Sequence, residues 1–178
     1  AATADFEIDC YVDADFAGTW GFEHPQDPSC VKSRTGFVIF IMGTPVVWTS
    51  RLQTDIATST MESEYNALSM AMRDVIPLRR LTKSIIQGLG GDNVKMTHVK
   101  TTVHEDNHGT LRLGTMEPGR MTPRSKHYGI KYHWFRGQLK PNETEMAPVA
   151  SALQRADFLT KSLRLHMFEA NRKLTLGW

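Results

Sequence analysis

Regular patterning begins at residues 6 to 13, where Phe6, Ile8, Cys10 and Val12 alternate with Glu7, Asp9, Tyr11 and Asp13, the period of a half-buried strand. Residues 18 to 33 keep no period. Gly18, Gly21, Pro25, Asp27, Pro28 and Ser29 predict a loop there. Apolar, β-branched and aromatic runs at 37 to 42 and 45 to 50, parted by Gly43-Thr44, predict a hairpin of second and third strands. Ser59-Thr60-Met61-Glu62 is a capping box, and Met61, Tyr65, Leu68, Met72 and Ile76 follow it at helical spacing. Pro77 lacks an amide hydrogen and is expected to kink or divide this helix, the second part running to Gly88. Residues 98 to 103 predict a fourth strand that ends on Glu105-Asp106-Asn107, with a short helix through Leu113 and a loop over 114 to 124. A helix over 126 to 139, a short strand over 143 to 149 and an amphipathic helix over 153 to 174 complete the order β-β-β-α-β-α-α-β-α. The implied architecture is α/β, a five-stranded mixed sheet covered by helices on both faces, with the first strand in its centre.

Composition changes this picture little. The 178 residues, 40% hydrophobic and 22% charged, suit one domain spanning 1–178. The 21 basic and 19 acidic residues leave a net charge of only +2, so any footprint for a polyanion must be local. Cys10 and Cys30 have neither zinc-finger nor disulfide-framework spacing and are expected as reduced thiols of an intracellular protein. No apolar run approaches the roughly 20 residues of a membrane span, so no membrane association is expected. The opening Ala1-Ala2-Thr3-Ala4-Asp5 has neither initiator methionine nor signal pattern and suggests a piece of a longer chain.

Four acids fall where elements could converge: Asp13 at the end of the first strand, Glu64 in the first turns of the long helix, Asp106 after the fourth strand, and Asp157 early in the last helix. Hard oxygen donors without histidine or thiolate favour Mg²⁺, with Mn²⁺ able to substitute, and a pair of such ions can serve phosphoryl displacement. Nineteen acids scattered over a surface also include some at strand ends by chance, which weighs against any one of the four taken alone. At about 100° per residue, Glu64 lies about 60° from the Met61 stripe and Glu62 about 100° on the other side, already engaged by the cap. Glu64 is therefore the candidate ligand.

Several segments carry a specific resemblance. Tyr11-Val12-Asp13-Ala14-Asp15-Phe16-Ala17-Gly18, Lys32-Ser33-Arg34-Thr35-Gly36-Phe37, Trp48-Thr49-Ser50-Arg51-Leu52-Gln53, Ser59-Thr60-Met61-Glu62-Ser63-Glu64-Tyr65, Glu105-Asp106-Asn107, Arg124-Ser125-Lys126-His127 with Tyr132-His133-Trp134-Phe135-Arg136, and Ala156-Asp157-Phe158-Leu159-Thr160-Lys161 resemble, in order, the motifs of the ribonuclease H domain of copia-type LTR retrotransposons. The resemblance implies the ribonuclease H fold, catalytic and metal-binding roles for Asp13, Glu64, Asp106 and Asp157, two Mg²⁺ ions without a small-molecule cofactor, and an RNA–DNA hybrid as substrate. It also implies a reverse transcriptase domain in the same polyprotein and a cytoplasmic, virus-like-particle setting with a nuclear phase. Three departures stand out. Residues 19 to 31 exceed the usual connection, Pro77 interrupts a helix, and Gly129 stands where an acid is common. The stretch before Asp157, 148 to 153, lacks the histidine that cellular ribonucleases H carry, and slow turnover is expected.

Lys126, His127 and Arg136, interleaved with aromatics, are candidates for phosphate contact, the aromatics themselves being assigned mostly to the core. Asn107 is a candidate for a 2′-hydroxyl or sugar contact and equally a helix cap. His104 and His108 lack any further soft ligand and are expected as non-ligands. The expected activity is metal-assisted hydrolysis of hybrid RNA. Its rivals are a non-catalytic tethering module of the same fold, which would not need all four acids, and a DNA-cutting relative, which would draw its last acid from elsewhere in the chain.

Overall fold

The computed structural model describes residues 6–90, 98–117, 120 and 134–178. Strands β1 (Phe6–Asp15), β2 (Arg34–Ile41) and β3 (Thr44–Leu52) precede helix α1 (Thr60–Gly90); β4 (Val99–Glu105), α2 (His108–Thr115), β5 (Thr144–Pro148), α3 (Asp157–Thr160) and α4 (Leu165–Leu176) follow. The sheet order is β3-β2-β1-β4-β5. β1 and β2 pair antiparallel, as do β2 and β3, whereas β4 runs parallel to both β1 and β5. The central first strand and the mixed sheet are as the pattern predicts. The hairpin turns at Met42-Gly43, both at positive φ, which matches the twist of the paired strands and favours glycine at the second position.

Alternation in β1 sends Ile8, Cys10 and Val12 to the face covered by α1, where Tyr65, Leu68, Met72 and Val75 meet them together with Phe37, Ile39, Val99, Val103, Leu113 and Phe135. Each such large side chain stabilises the fold by roughly 1.5–3 kcal/mol on burial. The opposite face receives α3, and Gly36 makes that approach feasible. A Cβ there would stand 2.6 Å from Thr160 Cγ2 and 2.9 Å from Leu159 Cβ. Cys10 and Cys30 are both buried and free.

Three expectations need correction. α1 is not divided at Pro77 but continues through it, because a proline removes a single backbone bond while buried Val75 and Ile76 hold the surrounding turns in the core. The expected helix over 153 to 174 is instead a 3-10 turn (Ser151–Leu153), α3 and α4, with Lys161 in extended backbone between the two helices. Amphipathic spacing cannot report this break, which comes from Asp157 and Thr160 turning inward to β1. The expected helix over 126 to 139 lies outside the described residues up to 133, and beyond it Trp134–Gln138 is a 3-10 turn. Among the described residues no helix is long and apolar enough to cross a membrane.

Candidate metal centre

β1 and β4 are neighbouring parallel strands whose register places Tyr11 opposite His104, so Asp13 and Asp106 come level two residues further on. Glu64 arrives from α1, whose start is set by its cap: the Ser59 hydroxyl accepts from the Glu62 amide at 3.1 Å, and Glu62 Oε2 accepts from the Thr58 amide and hydroxyl at 2.7 Å each. With Glu62 committed to the cap, Glu64 sits on the sheet side of the helix and is buried. One carboxylate oxygen each from Asp13, Glu64 and Asp106 then lie within 4.8 Å of one another. Asp106 is the more exposed of the three and marks the open side.

Asp157 is brought to the rim of this group and is not one of the tight three among the described residues. It is buried at the start of α3 and is joined to Asp13 by Lys161, whose Nζ lies 2.8 Å from Asp157 Oδ1 and 3.7 Å from Asp13 Oδ2. The Thr160 hydroxyl donates to Asp13. Gln154, fully buried, ties this segment to β1: its Nε2 donates to the Val12 carbonyl at 2.9 Å and its Oε1 accepts from the Ala156 amide at 3.3 Å. The backbone bearing Asp157 is thereby fastened beside the residue preceding Asp13.

Close packing of like charges in a dry setting favours protons or cations. Burial pushes the Asp13 carboxyl up to about 6, opposed by Lys161 and the Thr160 hydroxyl and reinforced by Asp157 and Asp106. Glu64 is raised by burial and by the charges of Glu105, Asp13 and Asp106, while the Ala14 amide pulls the other way. Glu105 is a fifth acid that sequence reasoning missed. It is fully buried, its carboxyl is driven well above the usual range by burial, and its Oε1 accepts from the Asn107 amide at 3.0 Å. The signal was present in strand alternation, which puts Glu105 on the same face as Val99, Thr101 and Val103.

Among the described residues, Glu64 Oε2 and Glu105 Oε2 are buried without a hydrogen-bond partner. An all-oxygen cluster with an orphaned buried carboxylate oxygen fits a hard divalent cation such as Mg²⁺ or Mn²⁺. The remaining candidates fall elsewhere. Asn107 caps α2, its Oδ1 accepting from the Thr110 amide at 3.0 Å. Lys126 and His127 lie outside the described residues. Arg136, a candidate for phosphate contact, is instead buried, donating from Nε to the Tyr65 hydroxyl at 3.2 Å and from Nη1 to the Arg120 carbonyl at 2.6 Å. The correction has a simple cause: Phe135 and Arg136 turn inward together against Tyr65. His104 bonds Asp9 at 2.8 Å and stacks on Tyr11, and His108 is exposed at the start of α2.

No family model matches the chain. It is 29% identical over 164 residues to the retrovirus-related Pol polyprotein from transposon TNT 1-94 of Nicotiana tabacum, covering 92% of this chain and 11% of that protein. A second relative, the Pol polyprotein from transposon RE2 of Arabidopsis thaliana, is 25% identical over 162 residues, which is 91% of this chain and 10% of the relative. The chain thus spans about a tenth of the curated relatives it matches. Among solved structures, the N-terminal RNase H domain of a Mycobacterium tuberculosis protein superposes with a TM-score of 0.56 at 13% identity, covering 97% of this chain and 99% of that one. An RNase H1 isolated from compost gives 0.55 at 18% identity, over 86% and 92%. The same compost enzyme, solved in complex with an RNA/DNA hybrid, gives 0.54 at 20% identity, over 86% and 93%. The fold is that of ribonucleases H, and the resemblance to copia-type retrotransposon Pol polyproteins extends over nine tenths of the chain.

Proposed function

We propose that this ribonuclease H-like domain hydrolyses the RNA strand of RNA–DNA hybrids, as part of a retrotransposon polyprotein that also carries a reverse transcriptase. The observation that carries the reading is the meeting of Asp13, Glu64 and Asp106, from three separate elements, within 4.8 Å. A surface accident does not bring a buried carboxylate at the end of one strand, a second on a capped helix and a third just past the neighbouring parallel strand into one group. Asp13, Glu64, Asp106 and Asp157 would hold two Mg²⁺ ions, with Mn²⁺ able to replace them. Bound there, the ions supply charge neutralisation at the phosphodiester and a water acidified toward neutral pH.

The chain's own groups do the rest. β1 and β4 hold Asp13 and Asp106 at one level, α1 inserts Glu64 from the core side, and Gln154 with Thr160 fastens the Asp157 segment to β1. Lys161 offsets part of the negative charge shared by Asp13 and Asp157. Because Asp106 is the exposed member, the scissile phosphate approaches from its side. We place the domain after the reverse transcriptase, in the C-terminal part of the polyprotein, in a cytoplasmic particle with a nuclear phase, as part of the same reading.

The deciding experiment incubates purified protein with end-labelled RNA–DNA hybrid, RNA duplex and single strands, in Mg²⁺ and then in Mn²⁺. Metal-dependent loss of hybrid RNA alone is the expected result. Binding of the hybrid without cleavage in either metal would instead favour a tethering module.

A further inference from the structure

The connection over residues 19 to 31, longer than the resemblance leads one to expect, has no part in the acid cluster. It is nonetheless well built. The Ala17 amide donates to Ser33 Oγ at 3.3 Å, Thr19 Oγ1 donates to the Cys30 carbonyl at 3.2 Å, and Asp27 caps the 3-10 turn Pro28–Val31 while Cys30 is buried. From this frame Phe22 projects with 90% of its surface exposed. Phe22 lines a groove of about 880 Å³ together with Phe158 and Phe168. Lys32, Arg34 and Lys161 also line it.

Position and chemistry both point to the occupant. Thr160 and Lys161, which line the groove, also contact Asp13, so the groove borders the acid cluster. Lys161 is engaged with Asp13 and Asp157, which leaves Lys32 and Arg34 as the cations the groove offers beside its two lining acids, Asp15 and Glu23. Aromatic rings beside cations suit a strand whose phosphates are anionic and whose unpaired bases present flat faces. A duplex keeps its bases stacked on one another and could not offer them to Phe22.

On the reading that the acid cluster cuts hybrid RNA, we propose that this groove binds unpaired nucleotides of the RNA strand continuing from the hybrid, with Phe22 stacking on a base and Lys32 and Arg34 facing phosphates. The domain would then favour junctions where hybrid gives way to single-stranded RNA over uninterrupted hybrid.

The test measures binding by fluorescence anisotropy in EDTA, using a blunt hybrid and the same hybrid with its RNA strand extended by six unpaired uridines at either end. Comparing the two affinities cancels the repulsion from metal-free acids. An extension at one end should tighten binding by about fivefold or more, the weak end of one base–aromatic stack. Phe22→Ala should lose that gain with little change for the blunt hybrid, and Phe22→Trp should keep it. No tightening from either extension, or equal weakening of both substrates by Phe22→Ala, would overturn the proposal. If hybrid RNA is cut in Mg²⁺ yet neither extension tightens binding, the groove assignment fails alone. If the blunt hybrid is neither bound nor cut, the proposed function fails and the groove assignment with it.

Discussion

At the scale of single residues, two glutamates two positions apart have unrelated tasks. Glu62 accepts two bonds from Thr58 at the helix start, whereas Glu64 is buried against the other acids. Glu62→Gln should cost about 0.5–1 kcal/mol of stability through a weaker cap and leave hybrid cleavage nearly intact. Glu64→Gln should abolish cleavage with the fold preserved; equal losses of activity in the two variants would contradict the assignment. The raised carboxyls have a further consequence for stability. Asp13, Glu64 and Glu105 all titrate above their ordinary range in the folded chain, so the folded state holds protons that the unfolded state has already released. Their contribution is complete below the unfolded carboxyl range, declines as pH rises above it, and is lost once pH has passed the folded values, first near 6 for Asp13 and higher for the other two. Without divalent metal, Tm should therefore fall between pH 5 and 8. Mg²⁺ should raise Tm more at pH 8 than at pH 5, and Glu64→Gln should flatten the slope. A metal-free Tm that climbs across this interval would show that the cluster is not strained by its charges.

At the scale of elements, the decisive contact is that of α3 with the sheet. α3 has only four residues, too few to be stable alone, and it owes its place to Gln154, to Thr160 and to the absence of a side chain at Gly36. Gly36→Ala would bring a methyl group within 2.6 Å of Thr160 Cγ2 and within 3.2 Å of the Ala156 carbonyl, so α3 must move outward. The expected cost is about 1–3 kcal/mol in chemical denaturation. Cleavage should fall by a larger factor than stability explains, since Asp157 moves with the helix. Unchanged activity at reduced stability would mean that Asp157 is dispensable.

At the scale of the whole molecule, the proposed function requires a net charge of only +2 to reconcile an acidic centre with a polyanionic substrate. Hybrid affinity should come from local cations, and it should fall steeply between low and physiological salt as displaced counterions are released. Anisotropy titrations at several salt concentrations would show this as a straight line of negative slope on logarithmic axes. A flat line would exclude phosphate contacts as the main source of affinity. The parallel pairing of β1 with β4 also decides where the acids meet, because one end of the sheet gathers Asp13, Asp106 and the start of α1.

What the sequence determined by itself was whatever depends on local period and local chemistry. Alternation in β1, the capping box at Ser59 and the 3.6-residue stripe through Tyr65, Leu68 and Met72 were enough for the sheet, for α1 and for the choice of Glu64 over Glu62. The tertiary structure alone decided what depends on a partner distant in the chain. Asp157 reaches the acids through a helix break that no amphipathic pattern records, since residues more than 140 positions away, Val12 and Asp13, hold Gln154 and Thr160 inward. Arg136 reads along the chain as a candidate for phosphate contact and is buried because Tyr65 and the Arg120 carbonyl receive its guanidinium. Glu105 reads as the neighbour of a ligand and becomes a buried acid because β4 lies beneath α1, which turns one strand position in two away from water.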